Sequence, residues 1–212
     1  MKFKTIQTQT KHIEALLNGA SDTEKIDGGN WYKEANTYAH HLSELFNLDS
    51  PCKVAGIISA LSPATNWERN KSDAHNFIAL ALNGDAMSGK YGTYKNNVRK
   101  ALEIFNLNNL SNLQRNKPNK KSIGAILRGK TGYKTESFFY NIYDLDSSEV
   151  TIDRHAIKGA NNVYEGGSVA LTEKRYRDSE RAYQKVAKKY NLKPYQVQAI
   201  VWVTYRRLRG LK

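Results

Sequence analysis

The sequence predicts an all-α protein, and three observations carry that expectation. Apolar residues recur at intervals of three and four along most of the chain, the period of an amphipathic helix. Capping residues stand ahead of those stretches, with Ser50 before Pro51 and Thr172 before a long charged segment. No two segments alternate apolar and polar residues around a tight turn, as a β-hairpin requires.

In chain order, Asn30 is expected to cap a helix over WYKEANTYAHHLSELF, with Tyr32, Ala35, Ala39, Leu42 and Phe46 on one apolar stripe. Ser50 and Pro51 open the next helix, CKVAGIISAL, and Pro63 ends it. WERNKSDAHNFIALALNG reads as a helix closed by Gly84, and YKNNVRKALEIF as one with Val98, Ala101, Leu102 and Phe105 facing inward. A shorter helix near KKSIGAIL leads into the glycine-bearing turn RGKTGYKT, and TESFFYNIY is helical directly after it. VTID, 150–153, reads as a short extended stretch, with Asp153 opening a further helix. Thr172 caps EKRYRDSERAYQKVAKKY, and Pro194 opens YQVQAIVWVTYRRLRG, in which Trp202 reads as core. Two lobes are expected, one over 51–152 and the other formed by 1–50 together with 153–212.

Composition bounds the function. At 212 residues and 40% hydrophobic content the chain can bury a core without staples. Its single cysteine, Cys52, excludes an intramolecular disulfide framework and any four-cysteine zinc or iron–sulfur site, so an intracellular protein is expected. The N-terminus lacks an apolar signal core, and the longest apolar runs, VAGIISAL and FIALAL, are too short to span a bilayer. His40, His41 and His75 have no carboxylate at a repeating ligand spacing, so no metal site is expected.

The net charge is +13, and its distribution says more than its size. Seven basic and no acidic residues lie between Arg115 and Lys134; twelve basic and two acidic lie between Lys174 and Lys212. Those segments carry +17, so the rest of the chain is net negative by 4. Concentrated charge of this kind is the footprint of a polyanionic partner, although two solvated helix faces would look the same.

The turn LRGKTGYKT is the most informative local signal. Its two glycines let the backbone bend tightly and approach another surface, and amides at the start of the following helix can meet a phosphate, with Lys130 and Lys134 adding charge. Asp153 follows Lys134 by 19 residues, after a loop. An amine and a carboxylate brought to one pocket can act as nucleophile and as stabiliser of positive charge at a sugar carbon; alone, an aspartate before a helix is an N-cap.

These residues resemble the helix-hairpin-helix DNA glycosylases related to endonuclease III. That family has a hairpin of the form L-P-G-x-G-x-K-T-A followed some 18 residues later by V-D-T-H, and this chain has LRGKTGYKTES and then TIDRHA. Upstream, IISALSPATNWERNKSDA is similar to the family's L-S-A-Q-A-T-D-x-x-V-N-K, with Ala64, Thr65, Asn70 and Lys71 on matching positions. YKNNVRKALEIF is similar to the helix after the family's G-L-Y-x-x-K-A turn, so the blocks together cover Pro51 to Ala156. The tail resembles small phage-encoded proteins. Three departures stand out: Arg128 replaces the hairpin proline, the hairpin is one residue longer, and Pro63 replaces the glutamine that reaches into DNA in relatives.

The resemblance implies a two-lobed helix-hairpin-helix fold and a monomer that excises a modified base from DNA by base flipping. In it, Lys134 is the catalytic nucleophile and AP lyase residue and Asp153 the catalytic carboxylate. Arg128, Gly129, Lys130, Thr131, Gly132 and Tyr133 would contact the DNA backbone. Asn66, Trp67, Tyr140 and His155 would line the base pocket, with Phe138 and Phe139 as further candidates, and His155 is expected to be a structural hydrogen-bonding residue rather than a base. Neither a catalytic cofactor nor the family's iron–sulfur cluster is expected; a main-chain-bound monovalent cation at the hairpin is implied by analogy. The rival expectation is a non-catalytic DNA-binding module of the same fold that senses modified DNA.

Overall fold

The computed structural model of the chain describes residues 3–48, 50–107, 120–129, 132–163 and 171–210. Among them are ten α-helices and no strand: α1 Ile6–Asn18, α2 Asp22–Leu45, α3 Pro51–Leu61, α4 Trp67–Leu82, α5 Lys95–Phe105, α6 Lys120–Arg128, α7 Tyr133–Tyr143, α8 Arg154–Ala160, α9 Glu173–Tyr190 and α10 Pro194–Leu208. One 3-10 turn, Ala86–Ser88, follows α4. No described helix is long and apolar enough to cross a membrane.

Two compact units divide the chain, Met1–Glu34 with Asp144–Lys212, and Ala35–Tyr143. The divisions lie away from Pro51 and Ile152 for local reasons. The second half of α2 belongs with the central unit, where the Asn36 amide donates to the Ile142 carbonyl at 2.8 Å and the Tyr38 hydroxyl to the Lys71 carbonyl at 3.1 Å. Val150 and Ile152, by contrast, are tied to Tyr176 and Glu180 of α9.

In the terminal unit, α1 is a helix that the expectations above omitted. Thr5 caps it by accepting from the Thr8 amide at 3.2 Å, and it buries Gln9, Ile13, Leu16 and Leu17 on one face. The expected cap at Asn30 is incorrect, because α2 runs straight through Gly28, Gly29 and Asn30. Its start is instead a reciprocal box: the Ser21 amide donates to Glu24 Oε2 at 2.8 Å, and the Glu24 amide to Ser21 Oγ at 3.2 Å. Each glycine costs about 1 kcal/mol of helix propensity relative to alanine. Packing outweighs that cost at Gly28, where a Cβ would lie 2.6 Å from the Ile200 Cα, so only glycine lets α2 and α10 come this close.

The central unit is organised by α3, whose residues from Cys52 to Leu61 are all buried and which packs on α4, α5, α6 and α7. Each fully buried large side chain here, such as Ile57, Ile58 or Leu61, contributes about 1.5–3 kcal/mol of burial. The buried Lys53 extends its ammonium to the Phe105 carbonyl at 3.1 Å, at the C-terminal end of α5. That helix turns Val98, Ala101 and Ile104 inward; Leu102 and Phe105, expected in the core, are half-buried at its flank. Pro51 sits in the first turn of α3 as expected, but Ser50 makes no side-chain capping bond.

Candidate functional site

The hairpin of the central unit is formed by α6, α7 and the turn between them. Gly129 has φ +46, in the left-handed region that closes a helix without a Cβ penalty. At Gly132 the chain passes so close to α6 that a Cβ would lie 2.2 Å from the Leu127 carbonyl oxygen and 2.6 Å from that of Arg128. The Gly132 amide donates to the Arg128 carbonyl at 2.6 Å, and the Gly129 amide to that of Ala125 at 3.0 Å. The Arg128 guanidinium lies 4.9 Å over the Tyr133 ring and 3.6 Å from Glu136, so this side chain is engaged within the hairpin. Lys130 and Thr131 lie outside the described residues.

Lys134 lies in the first turn of α7, which begins at Tyr133, two residues before the expected TESFFYNIY helix. Its side chain is half-exposed. Phe138 and Phe139 are buried and belong to the core, Phe139 stacking on Tyr143 at 5.9 Å between ring centroids. Tyr140 lies against α6, where a Cβ on Gly124 would come within 2.6 Å of the Tyr140 hydroxyl. α7 buries Ser137, Phe138, Phe139, Asn141 and Ile142, while Lys134 and its neighbours in the first turn are half-buried.

The upstream block forms a second feature of this unit. Pro63 ends α3, and Ala64 takes φ +67, a backbone conformation that costs a residue with a Cβ about 1–2 kcal/mol. The Thr65 hydroxyl donates to the Ser62 carbonyl at 3.0 Å, and Asn66 caps α4 by accepting from the Arg69 amide at 2.8 Å. Asn66 is therefore committed to helix capping. Trp67 meets Tyr38 edge-on at 6.2 Å, and the Lys71 ammonium lies 5.8 Å over the indole and 5.9 Å over the phenol. Asn70 is buried, with its amide donating to the Ile58 carbonyl at 3.0 Å, so it ties α4 to α3.

In the terminal unit the site is built around Asp153. Val150, Thr151 and Ile152 form a buried stretch outside any helix, with backbone groups of Val150 and Ile152 bonded to side chains. The Val150 amide donates to Glu180 Oε1 at 3.2 Å; the Tyr176 hydroxyl donates to the Val150 carbonyl at 2.8 Å and accepts from the Ile152 amide at 3.2 Å. Burial raises the Glu180 carboxyl above its ordinary pKa, with Glu149 adding to the effect, while Arg177, 2.7 Å away, opposes it.

That stretch delivers Asp153 to the N-terminus of α8. Its Oδ1 accepts from the His155 amide at 2.9 Å and the Ala156 amide at 2.7 Å, and its Oδ2 accepts from Trp202 Nε1 at 3.1 Å. Three N–H donors therefore hold a half-buried carboxylate in one orientation. The expectation that Trp202 is simple core is corrected: the side chain is half-buried, its N–H serves Asp153, and the Arg206 guanidinium covers its ring at 4.4 Å. Nothing in the apolar pattern of α10 distinguishes Trp202 from core, but an indole carries a polar N–H that needs a partner, and Arg206 one turn later marks that face as polar.

The His155 ring lies 6.3 Å from Trp202 and 6.2 Å from Tyr205. Burial lowers its pKa despite the neighbouring Asp153, and Arg154, Arg206 and Lys158 lower it further. Beneath α8 the fully buried Tyr183 donates to the Ala156 carbonyl at 3.0 Å. Its phenol is held well above its ordinary pKa by burial, with the Asp153 carboxylate adding to the effect.

Of the expected site residues, Asp153 and His155 come together in the terminal unit. Arg128, Tyr133 and Lys134 lie on the hairpin of the central unit, where Asn66 and Trp67 stand apart, at the start of α4. Among the described residues no three His, Cys, Asp or Glu side chains are grouped to hold a metal ion. No curated protein and no solved structure matches the chain. The profile of one family, described as a family of unknown function (DUF7178), matches residues 2–209, and the chain belongs to that family.

Proposed function

We propose that this protein is a DNA glycosylase with AP lyase activity, using Lys134 as nucleophile and Asp153 as the stabilising carboxylate. The observation that carries the reading is Asp153 itself: a carboxylate fixed by two backbone amides and an indole N–H, at a helix start reached through a buried, side-chain-braced stretch. A group held so firmly has no conformational reorganisation left to undergo when charge develops nearby, which is how an active site stabilises a cationic sugar. The glycine turn and the half-exposed Lys134 in the first turn of α7 support the same reading.

The chemistry requires a nucleotide extruded from its stack, because C1′ is inaccessible within a duplex. The Lys134 amine, once its ammonium proton has passed to solvent, forms a bond to C1′ as the glycosidic bond breaks; the base departs with the electron pair and takes up a proton. Loss of the amine proton and opening of the sugar ring give a Schiff base, from which β-elimination breaks the strand on the 3′ side. With both oxygens already accepting hydrogen bonds, Asp153 serves chiefly as a negative charge beside the sugar.

Borohydride reduction with oligonucleotides containing uracil derivatives, oxidised pyrimidines, hypermodified bases or abasic sites tests the assignment. A covalent protein–DNA adduct is expected, lost in Lys134→Ala, together with base release detected by mass. Base release without trapping would remove the lyase role from Lys134. DNA binding with neither base release nor trapping across the panel would replace the enzyme by a non-catalytic sensor of modified DNA.

A further inference from the structure

The basic residues between Lys174 and Lys212 fall into two groups in the terminal unit. Several are drawn into internal contacts: Lys193 lies 2.8 Å from Asp146, Arg207 2.7 Å from Glu24, Lys189 3.0 Å from Glu14 and Arg177 2.7 Å from Glu180. The guanidiniums of Arg175 and Arg206 cover the rings of Phe3 and Trp202, at 5.4 and 4.4 Å. The others on α9 stand in one line. Lys174, Arg181, Lys185 and Lys188 are all exposed, and their spacing places them within about 80° of the helix circumference and along about 21 Å of its length. Asp178, on the same line, lies 2.7 Å from Lys174 and 3.6 Å from Arg181, and Glu173 stands at the N-terminal edge. Lys185 and Lys188 make no ion pair among the described residues, so half of the line is uncompensated charge.

The composition of this face selects the class of partner. A membrane surface takes up a helix through an apolar face beside the charged one, and α9 has already buried its own, Tyr176, Ala182, Tyr183, Val186 and Ala187. Protein interfaces are anchored by aromatic side chains and are poor in lysine, whereas this line holds three lysines, one arginine and no aromatic residue. A row of mobile point charges with no apolar anchor suits a chain of phosphates. At a rise of about 3.4 Å per phosphate on one strand, about 21 Å of helix runs beside about six of them.

We infer that the exposed face of α9 is a second nucleic-acid surface of this protein, one that follows the phosphate backbone of duplex DNA through Lys174, Arg181, Lys185 and Lys188 and reads no sequence. The inference rests on DNA being the partner, as proposed above, and not on the chemistry assigned to Lys134 and Asp153. The line holds the backbone whether or not a modified base is present.

Anisotropy titrations of the full chain with a labelled 25-base-pair duplex of unmodified DNA, in KCl from 0.05 to 0.3 M, test it. Each phosphate contact adds about 0.9 to the slope of log affinity against log salt. Changing Lys174, Arg181, Lys185 and Lys188 together to Gln should make the slope shallower by about 3 and weaken binding at 0.1 M KCl by about a hundredfold or more. Lys185→Gln with Lys188→Gln, which breaks no ion pair, should remove about half of that slope change. A control with the same loss of charge at other exposed lysines, Lys25, Lys33, Lys90 and Lys95 to Gln, should shift the slope by less than about 1. Equal shifts in the control and the α9 variants would overturn the inference, since net charge alone would then account for binding. An α9 variant that keeps its DNA affinity but loses binding to phosphatidylserine vesicles would overturn it in favour of a membrane. If the unaltered protein binds the duplex and the α9 variants bind it equally well, the α9 surface falls while the DNA reading stands; if the unaltered protein binds no duplex, both fall.

Discussion

Replacing Asp153 by alanine removes three hydrogen bonds at once, and the structure allows the loss to be apportioned. The two amide bonds to Oδ1 are an N-terminal cap, whose removal costs about 0.5–2 kcal/mol. The indole bond to Oδ2 is charge-assisted, but both partners are half-exposed, which holds its contribution near about 1 kcal/mol. Asp153→Ala should therefore destabilise the fold by about 2 kcal/mol, a fall in Tm of about 4–8 °C for a chain of this size. Asparagine caps as well as aspartate, so Asp153→Asn keeps the first contribution and spoils the second, since its amide N–H would face the Trp202 N–H. A loss of about 1 kcal/mol is expected, and Trp202→Phe in the same chain should relieve the opposed donors. The assay is a double-mutant cycle by chemical and thermal unfolding. An Asp153→Ala protein with unchanged Tm, or Asp153→Asn and Trp202→Phe effects that simply add, would refute the three-donor account of this carboxylate.

Other substitutions probe the turns and the histidine. Gly132→Ala should cost about 3 kcal/mol or more, because its Cβ would be driven into the Leu127 and Arg128 carbonyls, whereas Gly129→Ala should cost about 1 kcal/mol of left-handed backbone strain; equal losses in urea unfolding would contradict the close approach at Gly132. Ala64→Gly relieves the strain at φ +67 but gains unfolded-state freedom, so calorimetry should show a net change within about 1 kcal/mol and toward greater stability. His155, with its pKa lowered by burial, favours the folded state fully only above its ordinary pKa; that contribution is lost as pH falls through 6.5 toward the folded value. Between pH 7 and 5 the unaltered protein should lose more stability than His155→Gln, and parallel pH profiles would show that the ring is not desolvated.

Much of the helical architecture is readable from periodicity and caps: Thr172 and Asp153 each accept the capping bond that their position ahead of a helix suggests. The start of α2 is not readable in that way, because Gly28, Gly29 and Asn30 look like a break and only the backbone of Ile200 explains why a helix continues through them. On α5, Leu102 and Ile104 are equally apolar, and which faces inward is decided by the packing of α3 rather than by the period. At the candidate site, Asp153 stands out by spacing, whereas Trp202 does not, because it meets Asp153 through a contact between residues distant in sequence.

The bond from Trp202 to Asp153 also makes the site self-reporting. The chain has three tryptophans, Trp31, Trp67 and Trp202, so replacing the first two by phenylalanine leaves a single emitter attached to the carboxylate and covered by the Arg206 guanidinium. Indole emission responds to the charge and solvent around its ring, and anything that displaces Arg206, protonates Asp153 or enters beside them changes the colour or yield of that emission. Occupancy of this site is thus observable by light, without a label and before any substrate is known.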